Sequence, residues 1–277
     1  MDSKWEQLET TLRAMDSVLI AFSGGVDSTF LLAAAHQILG DNALGVTVLS
    51  EVHPEWEQRE AATLARQIDA RHQTLSVEVL DTPAFRENPP DRCYLCKLAL
   101  FSKLREVAAE QGFRYVADGT NADDEGDFRP GMRALKELEI RSPLKEVGLT
   151  KQEIRAYSKQ LGLTTWDRPS FACLASRFPY GTRITQERLR QVDRAEGLLR
   201  EQGFRTFRVR YHGDLARIEV SEDDLARFLD AALRKNVVHR LRELGFLYVT
   251  LDLQGYRMGS MNDPLMAEDM GSGTARR

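Results

Sequence analysis

No stretch of this sequence stays apolar for long. The longest runs, such as Phe30 to Ala35, fall far short of the roughly 20 residues a membrane-spanning helix needs. No N-terminal segment joins a basic start to an apolar core and a small-residue cleavage site, so no signal peptide is predicted and a cytoplasmic protein is expected. A basic excess is missing as well: the net charge is −4, whereas a protein that grips a long nucleic acid usually carries surplus Lys and Arg. A polynucleotide partner is therefore disfavoured. Cysteine is scarce, with three residues, and an odd number argues against a disulfide framework. Three thiols leave metal, redox or nucleophilic chemistry, or no chemistry at all. Internal repeats and low-complexity blocks are also missing.

What is present suits a globular chain. Its 277 residues are 42% hydrophobic and 29% charged, enough for one large domain or two ordinary ones. The first half alternates strand and helix patterns: strands at 18–22, 43–49, 72–80 and 115–117, helices at 28–39, 55–68 and 95–111. A helix at 151–161 opens with a capping box, Thr150 with Glu153. Repeated βα units predict an α/β fold, a parallel sheet wrapped by helices on both faces. Residues 164–182 show neither period and mark the domain junction. Beyond them a helix at 186–202, strands at 206–211, 216–220 and 247–253, and two short helices predict a smaller α+β domain with an antiparallel sheet. The boundaries expected are 1–168, a junction at 169–185, 186–262, and a fraying tail at 263–277.

The first specific stretch is AFSGGVDSTF, residues 21–30. A strand ends in two glycines and a helix opens with hydroxyls. One reading is a tight turn with Ser28 as a helix cap. The sharper one is a phosphate cradle: glycines admit the ligand to the backbone, and N–H groups at a helix start face an anion. The Walker pattern is ruled out because no Gly-Lys-Ser/Thr follows, and the dinucleotide fingerprint lacks its third glycine. The segment resembles the PP-loop, SGGxDS, of the ATP pyrophosphatases. That resemblance implies that Ser23, Gly24, Gly25, Ser28 and Thr29 hold the β,γ-pyrophosphate of ATP while a substrate oxygen attacks the α-phosphorus. Asp27 accepts only, and can hold Mg²⁺ or its water. Ser50, closing the second strand, falls where this fold meets adenosine. Gly119 closes the fourth strand in Asp118-Gly119-Thr120-Asn121, before the acidic Asp123, Asp124 and Asp127, which either orient Mg²⁺ or Arg129 or are simply solvated.

Cys93 and Cys96, in DRCYLCK, form a C-x-x-C at a helix start with Arg92 and Lys97 beside them, a setting that favours thiolate. Zinc, redox and iron–sulfur uses share this motif, and no second pair completes a zinc site nearby. Cys173 lies in the irregular junction. Around and beyond it, WDRPSFACLASRFPYGT (166–182), RVRYHGDLARIE (208–219) and YVTLDLQGYRMGSMN (248–262), together with DDEGDFRPG (123–131), resemble the LarE family over nearly the whole chain. LarE proteins are ATP-dependent sulfur transferases of nickel-pincer cofactor biosynthesis. The resemblance implies adenylation of the carboxylates of pyridinium-3,5-biscarboxylic acid mononucleotide, loss of pyrophosphate, and conversion to thiocarboxylates. In the best-known members the cysteine matching Cys173 gives up its own sulfur and becomes dehydroalanine. Those members lack Cys93 and Cys96; members with three cysteines are thought to bind a [4Fe–4S] cluster, whose fourth iron can carry a replaceable sulfide. The cluster is the reading favoured here, with sacrifice of Cys173 as the alternative.

Arg208 and Arg210 alternate along a strand, so both guanidiniums share one face and suit the substrate's phosphate. Arg177, Arg183, Arg217 and Arg257 are further anion candidates, and Glu219 and Asp252 weaker metal candidates. The expected partner is a small pyridinium mononucleotide, with no membrane and self-association into a homo-oligomer. A tRNA thiolase, an ammonia-dependent amidase of the same loop class, and a non-enzymatic nucleotide sensor remain open.

Overall fold

A computed structural model describes residues 3–124, 130–169 and 172–263. The chain divides into two compact units, one of residues 1–85 and 89–171, the other of 86–88 and 172–277. The acidic run's Asp127 and its candidate partner Arg129 lie outside the described residues, as does the expected tail beyond 263.

The first unit is a four-stranded parallel sheet flanked by helices, in the order β3-β2-β1-β4. Its elements run α1 (Ser3–Met15), β1 (Val18–Ala21), α2 (Val26–Leu39), β2 (Ala43–Leu49), α3 (Glu55–Ile68), β3 (Arg71–Ser76), α4 (Pro83–Arg86), α5 (Arg92–Glu110), β4 (Tyr115–Ala117), α6 (Gly131–Glu137), α7 (Pro143–Glu146) and α8 (Lys151–Gln160). Central β1 pairs with β2 from Val18↔Ala43 and with β4 from Val18↔Tyr115. Val18, Leu19 and Ile20 are fully buried, as an unbroken apolar strand in a parallel sheet should be. The chain steps outward through β2 and β3, then returns to place β4 on the other side of β1. That reversal is the switch point where such sheets bind ligands, beyond the strands' carboxyl ends.

The core gathers α1, α2 and α8 on one face. Trp5, Leu8, Leu12 and Met15 recur at helical spacing on α1, and the stacked rings of Phe30 and Tyr157 join α2 to α8. Burying each such side chain is worth about 1.5–3 kcal/mol. The sequence reading had placed no helix at α1. It also ran the third strand to residue 80, which the structure corrects. β3 stops at Ser76, and Val79 and Leu80 are buried in a 3₁₀ turn instead, because Glu51 Oε2 accepts the Val79 N–H at 3.1 Å.

The second unit holds α9 (Gln186–Glu201), β5 (Phe207–His212), β6 (Leu215–Val220), α10 (Glu222–Leu225), α11 (Ala231–Glu243) and β7 (Tyr248–Leu251). β5 and β6 form a tight hairpin turning at Gly213, whose φ of +67° suits glycine. The expected antiparallel sheet is only half antiparallel, because β7 runs parallel to β6. Residues between them, including α11, provide the crossover that a parallel pair requires. Residues 86–88 group with this unit: Asn88 O accepts the Gly181 N–H at 3.0 Å, and Arg86 O the Ile184 N–H at 2.8 Å. Among the described residues no helix is long and apolar enough to cross a membrane.

Candidate functional site

The loop after β1 is ordered by its own hydroxyls. Ser23 Oγ and Ser28 Oγ lie 3.0 Å apart, Gly25 N–H donates to Ser23 Oγ at 3.3 Å, and Ser28 Oγ also accepts the Ser23 N–H. Gly24 takes a φ of +73°, and Gly25 is the extended N-cap of α2 without a side-chain cap. Ser28 therefore lies inside the first turn and is not the cap. The start of α2 carries no capping side chain, which leaves it open to an anion. Thr29 Oγ1 is buried with no hydrogen-bond partner. From below, Thr47 Oγ1 donates to Phe22 O at 2.8 Å and meets His72 Nε2 at 2.8 Å. Arg168 donates to Gly24 O at 3.0 Å while ion-pairing with Glu60, so the loop is held from outside as well.

Asp27 sits in the first turn of α2. Lys151 Nζ reaches its Oδ2 at 2.5 Å, while Oδ1 is buried with no hydrogen-bond partner. The end of β4 presses on this turn. A Cβ built at Gly119 would stand 2.9 Å from Ser28 N and 3.2 Å from the Asp27 carbonyl carbon, so only glycine lets the end of β4 approach the start of α2. Asp118 next to it accepts from Thr120 Oγ1 at 2.6 Å and Ser142 Oγ at 2.7 Å. At the end of β2, buried Ser50 donates to Glu51 Oε2 at 3.1 Å, and Gln58 spans the Ser50 and His53 carbonyls. Burial holds His53 below its usual pKa, favouring the neutral ring. The loop residues and Gly119 are thus brought together, with Ser50 at the neighbouring strand end.

Cys93 and Cys96 fall in the first turns of α5, three residues apart and so on one helical face. Neither takes part in a disulfide; Cys93 is exposed and Cys96 half-buried. Lys97 runs its stem against Gly131 and brings Nζ to 3.7 Å from Asp118 Oδ2, tying this helix start to the end of β4.

In the second unit, Cys173 is a half-buried free thiol at the start of a 3₁₀ turn, Leu174–Arg177. Its carbonyl accepts from Ser176 Oγ at 2.8 Å and from Arg177 Nη1 at 3.0 Å. Arg177 had been a candidate anion contact; the structure corrects this. It is fully buried and makes a two-pronged pair with Glu196 at 2.7 and 2.9 Å, while Glu196 also accepts the Val209 N–H. The pair fastens the Cys173 turn to α9 and β5. Arg208 and Arg210 share one face of β5, both buried. Arg210 bonds Glu219 at 2.6 Å, Ser176 O at 3.0 Å and Ser260 Oγ at 3.2 Å, and its Nε is buried without a partner. Arg208 packs 4.7 Å from the Tyr256 ring, and burial, then the Arg177 and Arg210 cations, pull its pKa down to about 10. Glu219 and Asp252 both serve Arg217, at 3.2 and 2.9 Å. Among the described residues no group of three or more His, Cys, Asp or Glu gathers as a metal site.

Sequence reasoning missed Lys151, Arg168 and Glu196. Only Lys151 had a local signal: a cation in the first turn of a helix opposes the helix dipole and asks for a reason.

Comparison with known proteins finds likeness along most of the chain. A family model described as NAD synthase matches residues 6–105. An uncharacterized protein of Synechocystis is 42% identical over 95% of this chain and 98% of its own length. A pyridinium-3,5-bisthiocarboxylic acid mononucleotide synthase of Lactiplantibacillus plantarum is 41% identical over 95% of both chains. An uncharacterized protein of Methanocaldococcus jannaschii is 31% identical over 87% of this chain and 90% of its own. With likeness this high running almost end to end, the chain belongs to the LarE family, the ATP-dependent sulfur transferases built on a PP-loop.

Proposed function

We propose that this protein adenylates the carboxylates of pyridinium-3,5-biscarboxylic acid mononucleotide and converts them to thiocarboxylates for a nickel-pincer cofactor. The observation that carries the reading is the near end-to-end likeness to the Lactiplantibacillus protein, whose name specifies that bisthiocarboxylic product. A substrate carboxylate oxygen attacks the α-phosphorus of ATP, the bond to the β-phosphate oxygen breaks, and pyrophosphate leaves. The N–H groups opening α2, with Ser23, Ser28 and Thr29, take up its charge. A sulfur nucleophile then attacks the acyl carbon and AMP departs. The buried, unpartnered Oδ1 of Asp27 fits a divalent cation. Mg²⁺ held there would neutralise the leaving pyrophosphate.

In the second unit, the depressed pKa of Arg208 and the unpartnered Nε of Arg210 support a role in binding the substrate phosphate. An anion beside them would offset what burial and like charge take away. For sulfur, Cys93 and Cys96, one helical turn apart on α5, suit two thiolate positions of a [4Fe–4S] cluster, and Cys173 supplies the third thiol of that reading. The cluster would supply a renewable sulfide. One observation favours sacrifice of Cys173 instead: its turn is fastened beside Arg208 and Arg210 within one unit, next to the proposed phosphate contact.

An apolar groove of about 430 Å³ between α11 and β7, edged by exposed Leu229 and Leu253, supports self-association, which light scattering would test. The central test of function supplies ATP, Mg²⁺ and the dicarboxylate and follows pyrophosphate and thiocarboxylate by mass spectrometry. Asp27→Ala is expected to stop both products while the fold persists. Adenylation without sulfur transfer, in protein with intact thiols and supplied sulfide, would sink the reading.

A further inference from the structure

The loop carries a contradiction in charge. It is shaped for pyrophosphate, yet it holds a carboxylate, Asp27, in the first turn of α2, where the phosphates are expected. The fold answers with a cation from a distant element. Lys151 is the first residue of α8, 124 positions along the chain, and its Nζ bonds Asp27 Oδ2 at 2.5 Å. Its placement is built. The Thr150–Glu153 capping box fixes where α8 begins, and Asp123 Oδ2 accepts the Lys151 N–H at 2.7 Å. A lysine here is disfavoured by the helix dipole, so its own helix gives it no support. The charge it answers is Asp27.

The same carboxylate has a second oxygen, Oδ1, that is buried and without a hydrogen-bond partner. An oxygen excluded from solvent and unpaired is costly unless some state of the protein supplies it with a partner. A divalent cation is the partner its chemistry suits. It would have to reach a carboxylate already neutralised and partly covered by an ammonium. Lysine has a compact charge on a flexible four-carbon stem and three rotatable donors, so it can turn from one anion to another without moving its backbone.

We propose that Lys151 is a place-holder for the divalent cation. It neutralises Asp27 before nucleotide binds, then yields the carboxylate to Mg²⁺ arriving with ATP and turns its ammonium onto the β,γ-phosphates. Divalent cation and ATP thus enter together, and the cation alone is kept out. Lys151 is a positioning residue in the first state and a phosphate ligand in the second. The proposal rests on the ATP-using reading of the loop.

The test titrates Mn²⁺ alone, then ATP with Mn²⁺, into the full chain and its Lys151→Gln, Asp27→Asn and doubly substituted variants. Paramagnetic resonance reads free Mn²⁺ and calorimetry reads ATP. Lys151→Gln is expected to bind Mn²⁺ without nucleotide about tenfold more tightly than wild type, and ATP about tenfold more weakly. The Mn²⁺ gain should vanish in the double variant. Lys151→Ala repeats both titrations, so that poor folding of one variant cannot hide the outcome. Unchanged Mn²⁺ affinity in both Lys151 variants, or unchanged ATP affinity, overturns the proposal. Wild-type protein that binds no ATP at all would overturn the nucleotide reading itself and the proposal with it.

Discussion

Gly119→Ala adds a single methyl group at the point where β4 meets the pyrophosphate loop. The φ of Gly119 lies outside the left-handed region, so backbone strain plays no part and the effect is one of space alone. The new Cβ would stand 2.9 Å from Ser28 N and 3.2 Å from Asp27 C and Cβ. Two of these three atoms are backbone, and none is the free end of a flexible side chain. Regaining ordinary contact at 3.4 Å requires the end of β4 and the start of α2 to part by about 0.5 Å. Overpacking of this kind costs about 1–3 kcal/mol. For a unit of this size that lowers the unfolding midpoint by roughly 2–12 °C. The displaced atoms are those that face the pyrophosphate, and a misplacement of about 1 Å can cost roughly 100-fold in rate, so about tenfold is expected here. Thermal unfolding by circular dichroism and pyrophosphate release measure the two effects. A variant with wild-type melting and wild-type pyrophosphate release would refute the close approach and the role assigned to it.

The remaining predictions concern the second unit, the histidines and the thiols. Arg177→Met leaves Glu196 buried and uncompensated, so unfolding should cost about 3–5 kcal/mol less in denaturant titration, with part of the loss recovered by adding Glu196→Leu. Arg208→Ala and Arg210→Ala should each weaken substrate binding by about 1.5–3 kcal/mol and leave ATP binding unchanged, as calorimetry would show; equal losses for both ligands would make them structural. Burial holds His53 and His72 below their usual pKa, so the unfolded chain takes up protons first. Stability is then full above about pH 6.5 and declines as the pH falls through the folded values, a slope that His53→Asn with His72→Asn should flatten. Under the cluster reading, Cys93→Ala, Cys96→Ala and Cys173→Ala each strip iron and stop thiolation while adenylation persists. Iron-free protein about 34 Da lighter after one turnover would establish the sacrificial route instead.

What the sequence disclosed was what is local in chemistry. The pyrophosphate loop was legible because glycines, a carboxylate and hydroxyls stand within seven consecutive residues between a strand and a helix. The Thr150–Glu153 box was legible for the same reason and is present. Contacts made across the chain were not. Lys151 and Asp27 are 124 positions apart, and nothing near either names the other. Arg177 read as an anion contact because its carboxylate, Glu196, lies on the next helix, with nothing local to tie the two together. β7 was found, but alternation of side chains is the same in both strand directions, so its parallel pairing with β6 was invisible. The third strand overran because apolar residues persisted past the point where Glu51 captures the Val79 amide.

The short strip 86–88 makes the division of this protein one that a gene cannot copy with a single cut. The chain passes from the first unit to the second, back again, and over once more, at 85/86, 88/89 and 171/172. A fragment beginning at 172 would lack the acceptors for the Gly181 and Ile184 amides and the Asn88 side chain that donates to Pro179 O at 2.7 Å. Each missing partner leaves a polar group to find water or go unsatisfied. Shuffling the second unit between relatives as a cassette should therefore fail unless three distant residues travel with it. The two halves are bound to a common inheritance by sequence order alone.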